Sequence, residues 1–390
     1  MTLFSTRLPS LTEVNALSRA VDSLRTRGID VIDLTASNPT LAGIQYPSGL
    51  LAALGDPRGL RYEPQPRGLR ETREAIAADC ARRSAAVDPE DIIVCASTSE
   101  AYSWLFKLVC NPGDTVLVPQ PSYPLFEHLT RLEGVSALPY ALHYHGRWEI
   151  DFNVFEAAPA GTRAVLVVSP NNPTGSFVSR REFETLVRIC RDRKWALIAD
   201  EVFADYTLEE ECPFTDLACG SDVMSFTLAG ASKTLGLPQV KLGWIIVGGP
   251  RELRRPAINA LEIIADTFLS VSTPVQLATT ALLREAGAVR AAIHSRVRAN
   301  LTRARELVSA YPACTVLRVE GGWSVPVRVP ATETEDTLVL SLLEFERVLV
   351  HPGYFFDFPH EAFIVISLLA QEQTFEDALT RTLRHVNGRL

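Results

Sequence analysis

The stretch "ASKTLGLPQVKLGW", residues 231–244, sets Lys233 in a glycine-containing connection between two apolar runs. An amine withdrawn from water is held less firmly in its charged form and becomes usable as nucleophile or base. A lone lysine is ordinarily a surface charge, so this reading depends on what else converges on it. A phosphate loop of the form GxxxxGK[ST] requires glycines where this chain has Thr227 and Ser232, and is excluded. Four other stretches supply groups that suit a lysine in a cleft. "ASTSEA", 96–101, places Ser97, Thr98 and Ser99 where a strand gives way to a helix. Ser97 and Glu100 have capping-box spacing, and the same helix start offers N–H groups and a positive dipole end to a phosphate. "NNPTG", 171–175, reads as a turn after an apolar strand and presents Asn172. The proline behind Asn172 rules out glycosylation there. "ALIADEVFADY" ends an apolar run on Asp200, either as the cap of a following helix or as a carboxylate on the ligand-binding edge of an open sheet. "PQPSYP", 119–124, presents Tyr123 from a proline-rich turn, as a packing residue or a platform for a ligand.

The elements that must position these groups alternate in type. Short apolar runs at 91–97, 114–119, 164–170, 195–200, 223–229 and 242–247 are separated by helical periods at 99–109 and about 179–192. Strands this uniformly apolar are buried on both faces, which predicts a mainly parallel sheet sandwiched by helices. A long helical stretch, about 275–311, then leads to "GGWSVPVRV" and "FIVISLL", the strands of a smaller α+β unit. The expected division is a large domain over 46–285 and a small domain formed by 1–45 and 286–390.

Composition bounds the function. With 390 residues, 47% hydrophobic and 22% charged, the chain has the make-up of a folded enzyme of two unequal domains. A net charge of −8, with the basic run "RICRDRK" at 188–194 reading as the solvated face of a helix, argues against nucleic acid and anionic membrane as partners. The seven cysteines are odd in number and show no CxxC spacing, and several sit in apolar runs; they read as reduced core residues. With no signal pattern and no membrane-length apolar run, the expected location is the cytoplasm.

Taken as an ordered set, these stretches resemble the aspartate aminotransferase family of fold-type I enzymes that use pyridoxal 5'-phosphate, over roughly residues 30–370. The resemblance implies a covalent Schiff base between Lys233 and the cofactor aldehyde, with Lys233 later moving a proton. Asp200 would pair with the pyridine nitrogen and keep it protonated, so that the ring accepts electrons. Asn172 would donate to the phenolic oxygen, Tyr123 would stack on the ring, and Ser97, Thr98 and Ser99 would hold the phosphate. "YEP", 62–64, looks like the segment whose tyrosine, here Tyr62, reaches a partner's phosphate, which implies a homodimer. The implied reaction moves an amino group from a small-molecule amino donor to a 2-oxo acid or related carbonyl, with no metal. The alternatives are a lyase or decarboxylase using the same cofactor, and a non-catalytic binding protein.

Three matched positions depart from the family pattern. Lys241 stands where an arginine normally grips the phosphate, which keeps the charge and loses the forked geometry. Phe203 replaces a tyrosine that donates to the phenolic oxygen, so the lysine–cofactor linkage should hold its proton to higher pH. Val365, in "FIVISLL", replaces the arginine that binds the substrate carboxylate, a contact worth about 1.5–3 kcal/mol or more. Either the substrate has no carboxylate there or another cation takes it. Arg328 is the candidate cation, although its alternation with Val327 and Val329 equally allows the solvent face. On the opposite wall, Ser37 and Asn38 of "ASNPT" offer polar groups to a substrate.

Overall fold

The computed structural model describes residues 4–8, 15–83, 85–209 and 222–388. Its centre is an eight-stranded sheet. The spatial order is Ile92–Cys95, Gly243–Gly248, Ser225–Gly230, Ala196–Asp200, Thr162–Val168, Thr115–Gln120, Ser136–Tyr144 and Trp148–Ile150. The five neighbours from Ser225–Gly230 to Ser136–Tyr144 run parallel to one another, and Gly243–Gly248 runs against both of its neighbours. Every residue of Ile92–Cys95, Ala196–Asp200, Ser225–Gly230 and Gly243–Gly248 is buried, as continuous apolar runs require of strands covered on both faces.

Helices supply the cover. Thr98–Val109 and Arg251–Asp266 pack on one face through Trp104, Leu105, Ile258 and Leu261, and Arg180–Arg193 packs on the other through Leu186 and Cys190. Each fully buried leucine, isoleucine or valine in these layers contributes roughly 1.5–3 kcal/mol of transfer free energy. The basic run at 188–194 lies on the outer face of its helix, with Cys190 turned inward. Ser179 and Glu182 close a complete capping box at the start of that helix.

A four-stranded sheet forms the smaller unit, in the order Thr315–Val316, Ser324–Arg328, Phe363–Ser367, His351–Pro352, with all of its pairs antiparallel. Near the N-terminus Ile32–Asp33 pairs in parallel with Val348–Leu349, which attaches the first segment of the chain to this unit. The helical stretch expected over 275–311 is two helices, Thr273–Glu285 and Gly287–Val308, separated at Ala286. Cys80, Cys95, Cys190 and Cys314 are buried, and Cys110 is half-buried. Cys212 and Cys219 lie outside the described residues. None of the described helices is long and apolar enough to cross a membrane.

Candidate active site

The strand directions explain why distant residues meet. Cys95, Gln120, Tyr144, Val168, Asp200 and Gly230 are the last residues of parallel-running strands, so the chain leaves the sheet at one edge six times. The antiparallel strand Gly243–Gly248 begins at that same edge and brings Lys241 to it. The result is a cavity of about 390 Å³ lined by Ser97, Thr98, Ser99, Tyr123, Asn172, Asp200, Phe203, Lys233 and Lys241. Ser37 lines it too, from the segment that runs beside the small sheet.

Asp200 is buried, and its Oδ2 accepts a hydrogen bond from the Tyr102 hydroxyl at 2.7 Å. Oδ1 accepts from the Val202 amide at 3.1 Å, in a turn and not at a helix start, so the reading of Asp200 as a helix cap is overturned. Burial pushes its pKa up to about 6, against the opposing pull of Tyr102, the Val202 amide and Lys233. Its hydrogen-bond donors are thus neutral, and the acid is suited to a cationic partner brought by a ligand.

Lys233 is half-buried, and desolvation lowers its pKa to about 8, with Asp200 acting the other way. Its Nζ lies 5.1 Å from the ring centroid of Trp323 and 5.6 Å from that of Phe203. The backbone beneath is tied down, because the Tyr206 hydroxyl donates to the Lys233 carbonyl at 2.7 Å and Tyr46 donates to that of Gly236 at 2.7 Å. At the other end Ser97 caps the helix Thr98–Val109, its side chain accepting from the Glu100 amide at 3.2 Å. The Glu100 carboxylate binds the Ala96 amide instead of that of Ser97, so the capping box is half made. Gly243 packs against this turn so closely that a Cβ there would stand 3.0 Å from the Ser97 carbonyl carbon.

The Asn172 loop is locked to the small unit. The amides of Glu320 and Gly321 both donate to the Gly175 carbonyl at 2.9 Å, and the Phe177 amide donates to Glu320 Oε2 at 2.8 Å. Gly175 has φ +66°, and a Cβ there would meet the Gly321 carbonyl oxygen at 2.6 Å, so this junction requires glycine. Trp323 follows directly and lines the cavity.

Some sequence-derived positions fall elsewhere. Asn38 is outside the cavity, and its Oδ1 accepts from the Thr40 amide at 3.1 Å and the Thr40 hydroxyl at 2.7 Å, capping a short turn. Arg328 is exposed, four residues along the strand from the cavity-lining Ser324 and roughly 13 Å away at strand rise, so it is no carboxylate anchor. Val365 is 1% exposed and packs in an apolar cluster, two residues behind Ser367. Tyr62 is 76% exposed and borders a second cavity of about 270 Å³. Sequence reasoning missed Tyr102, Trp323, Ser232, Ser324 and Ser367, which all line the main cavity. Tyr102 had a usable signal, since it sits four residues after Thr98 and shares its helix face.

The profile of the family described as aminotransferase class I and II matches residues 29–381. This chain belongs to that family. The glutamate-pyruvate aminotransferase AlaA of Escherichia coli K12 is 27% identical over 94% of this chain and 92% of its own length. The human tyrosine aminotransferase is 25% identical over 91% and 81%. Among solved structures, an alanine aminotransferase from Pyrococcus furiosus superposes with a TM-score of 0.87 at 24% identity, covering 99% of this chain and 100% of that one. A Thermus thermophilus aspartate aminotransferase gives 0.83 at 24% identity over 99% and 100%. The protein is therefore a pyridoxal-phosphate-dependent aminotransferase of fold type I.

The cavity of this aminotransferase suits that cofactor on its own chemistry. It offers an amine for the aldehyde, a buried acid in need of a cation for the ring nitrogen, and hydroxyls with a lysine for the phosphate. Phe203 is buried, lines the cavity and carries no donor, so a tyrosine in its place would add a hydroxyl to the cavity wall. Phe203→Tyr is expected to lower the pH at which the bound cofactor changes colour, by stabilising the phenolate. An absorbance titration of both holoenzymes checks this, and an unchanged or upward shift would count against the placement.

Proposed function

We propose that Lys233 is the residue that binds the cofactor aldehyde covalently and then moves a proton from the substrate's amine-bearing carbon. Its partial desolvation and its place beside two aromatic rings support this, because a neutral amine is a better nucleophile and base than an ammonium ion. Bound pyridoxal phosphate supplies the electron sink for the bond broken at that carbon. Asp200 holds the proton on the pyridine nitrogen, and Tyr102 orients the carboxylate through its 2.7 Å hydrogen bond. Ser97, Thr98, Ser99 and Lys241 bind the phosphate, Asn172 donates to the phenolic oxygen, and Tyr123 covers the ring. Val168 and Phe126 add apolar walls that limit water.

The observation that carries this reading is one cavity holding a lysine of lowered pKa and an aspartate of raised pKa. Environments that push two titratable groups toward neutrality mark a site prepared for a charged ligand. Incubating holoenzyme with amino donors tests it: pyridoxamine phosphate accumulates in proportion to enzyme. Ammonia or amine release with pyridoxal phosphate retained would indicate lyase chemistry instead.

The functional unit in this proposal is a cytoplasmic homodimer. Tyr62 supports it, being a large aromatic side chain that stands in solvent in the single chain beside the second cavity. Sedimentation of holoenzyme at the mass of one chain would remove the dimer. In the same proposal the large unit runs over 46–285 and the small one over 1–45 and 286–390, a boundary that the helix break at Ala286 supports.

A further inference from the structure

Resting on the role given to Lys233 above, we infer that Trp323 and Phe203 are positioning residues for that lysine: their ring faces hold its ammonium form while it carries the proton. Nζ lies over the indole at 5.1 Å from the centroid and over the phenyl ring at 5.6 Å, both within reach of a cation–π contact. The two rings meet edge to face, with centroids 5.3 Å apart and planes at 72°, so the amine meets two faces set at a steep angle to each other. Trp323 and Phe203 are only 3% and 7% exposed in the single chain, so the contact is complete without a partner subunit.

The surrounding chain fixes the indole relative to the amine. Tyr206 does so from one side chain, since its hydroxyl donates to the Lys233 carbonyl at 2.7 Å while its ring packs against that of Trp323 at 5.0 Å, close to edge-on. The Gly322 amide donates to the Tyr206 carbonyl at 3.0 Å, and the Trp323 carbonyl accepts from the Leu368 amide at 2.8 Å. Packing alone does not call for an indole here. Its N–H is buried with no acceptor among the described residues, a cost that phenylalanine or leucine would not carry. What tryptophan offers over the other aromatic residues is the strongest attraction of its face for a cation.

The charge balance shows where that attraction is needed. Neutral Lys233 takes a proton from the substrate's amine-bearing carbon onto its nitrogen lone pair, and the C–H electron pair stays behind on that carbon. The amine thereby becomes a cation where desolvation disfavours one. Asp200 opposes that desolvation, but its charge is matched by the cofactor's ring nitrogen in the reading above. Tyr102 and Tyr123 on the cavity wall and Tyr206 beside Trp323 supply no anion, because burial raises the pKa of each. Lys241 carries the like charge. Ring faces favour the ammonium without any proton of their own to lose.

A titration of the lysine itself tests this. The chain has four lysines, Lys107, Lys194, Lys233 and Lys241, so NMR of enzyme isotope-labelled at lysine Cε gives a readable set of curves, with that of Lys233 identified by its loss in Lys233→Arg. The enzyme is loaded with pyridoxamine phosphate, which leaves that amine free. It carries at residue 323 either tryptophan or tryptophans with progressively more ring fluorines, which keep shape and burial while weakening the face. The pKa of Lys233 is expected to fall stepwise, by about one unit for the most fluorinated ring, a roughly tenfold loss of proton affinity. Trp323→Phe, which keeps a weaker face, should titrate above Trp323→Leu. A packing role predicts the reverse order, since the smaller side chain admits more water and favours the charged amine. Either a flat or rising fluorine series, or Trp323→Leu titrating above Trp323→Phe, overturns the inference. Borohydride reduction of the wild-type enzyme with pyridoxal phosphate tells the two levels apart. Label on Lys233 with a flat series defeats this inference alone, and label on another side chain defeats the reading it rests on.

Discussion

Lys233→Ala lowers the rate of amino transfer by about 10⁴-fold or more, since it removes the covalent attachment point and the proton carrier together. General acid–base catalysis alone contributes about 10²–10⁴-fold, and loss of the nucleophile adds to it. The fold should survive, because the strand Ser225–Gly230 ends three residues earlier and the loop is held through backbone carbonyls, by Tyr206 at residue 233 and Tyr46 at residue 236. Lys233→Arg keeps the charge and should be nearly as inactive. Single-turnover kinetics, far-UV circular dichroism and peptide mapping after borohydride reduction check all three points. Activity within tenfold of wild type, or label on another side chain, would refute the assignment.

Asp200→Asn produces two effects of opposite sign. In the holoenzyme the ring nitrogen loses its anionic partner, so the electron sink weakens and turnover is expected to fall by about 10²-fold or more. In the apoenzyme the substitution stabilises. The folded-state pKa of Asp200 is raised from 3.8 to about 6, so the unfolded chain releases this proton first as pH rises. Below about pH 4 the group is protonated in both states and has no effect. Between about pH 4 and pH 6 it progressively destabilises the fold, and above that the cost levels off at about 3 kcal/mol. Asparagine removes this dependence, so apoenzyme melting at pH 7.5 should rise by a few degrees while melting at pH 4 stays unchanged. Scanning calorimetry of both apoenzymes at the two pH values measures it, and a destabilised variant at pH 7.5 would show that the ionised carboxylate is not a burden in the fold. Cofactor binding reverses the sign for the wild type, because a pyridinium supplies the missing charge.

How much of this was legible beforehand differs by residue. The apolar runs ending on Asp200 and before Asn172 announced a buried parallel sheet, and the carboxyl edge of such a sheet is where ligands bind. Lys233 was legible only through its company. Tyr102 was not singled out, although it is the hydroxyl that holds Asp200, because an aromatic in a helix reads as core until its partner strand is known. Trp323 was missed for a similar reason, since it reaches Lys233 only after Glu320 and Gly321 have docked on the Gly175 loop. Arg328 failed because alternation along a strand identifies two faces without telling which is inside. The structure settles that, turning Val327 and Val329 inward and Arg328 out.

By itself the sequence determined the layered α/β architecture, the loops that carry the chemical groups and the absence of an arginine at residue 365. These follow from local periodicity and residue type, which need no knowledge of distant neighbours. Tertiary structure decided which groups share one cavity and how far Asp200 and Lys233 are desolvated. Those properties depend on burial and on contacts between segments far apart in the chain, and electrostatics in a cleft is a sum over everything that lines it.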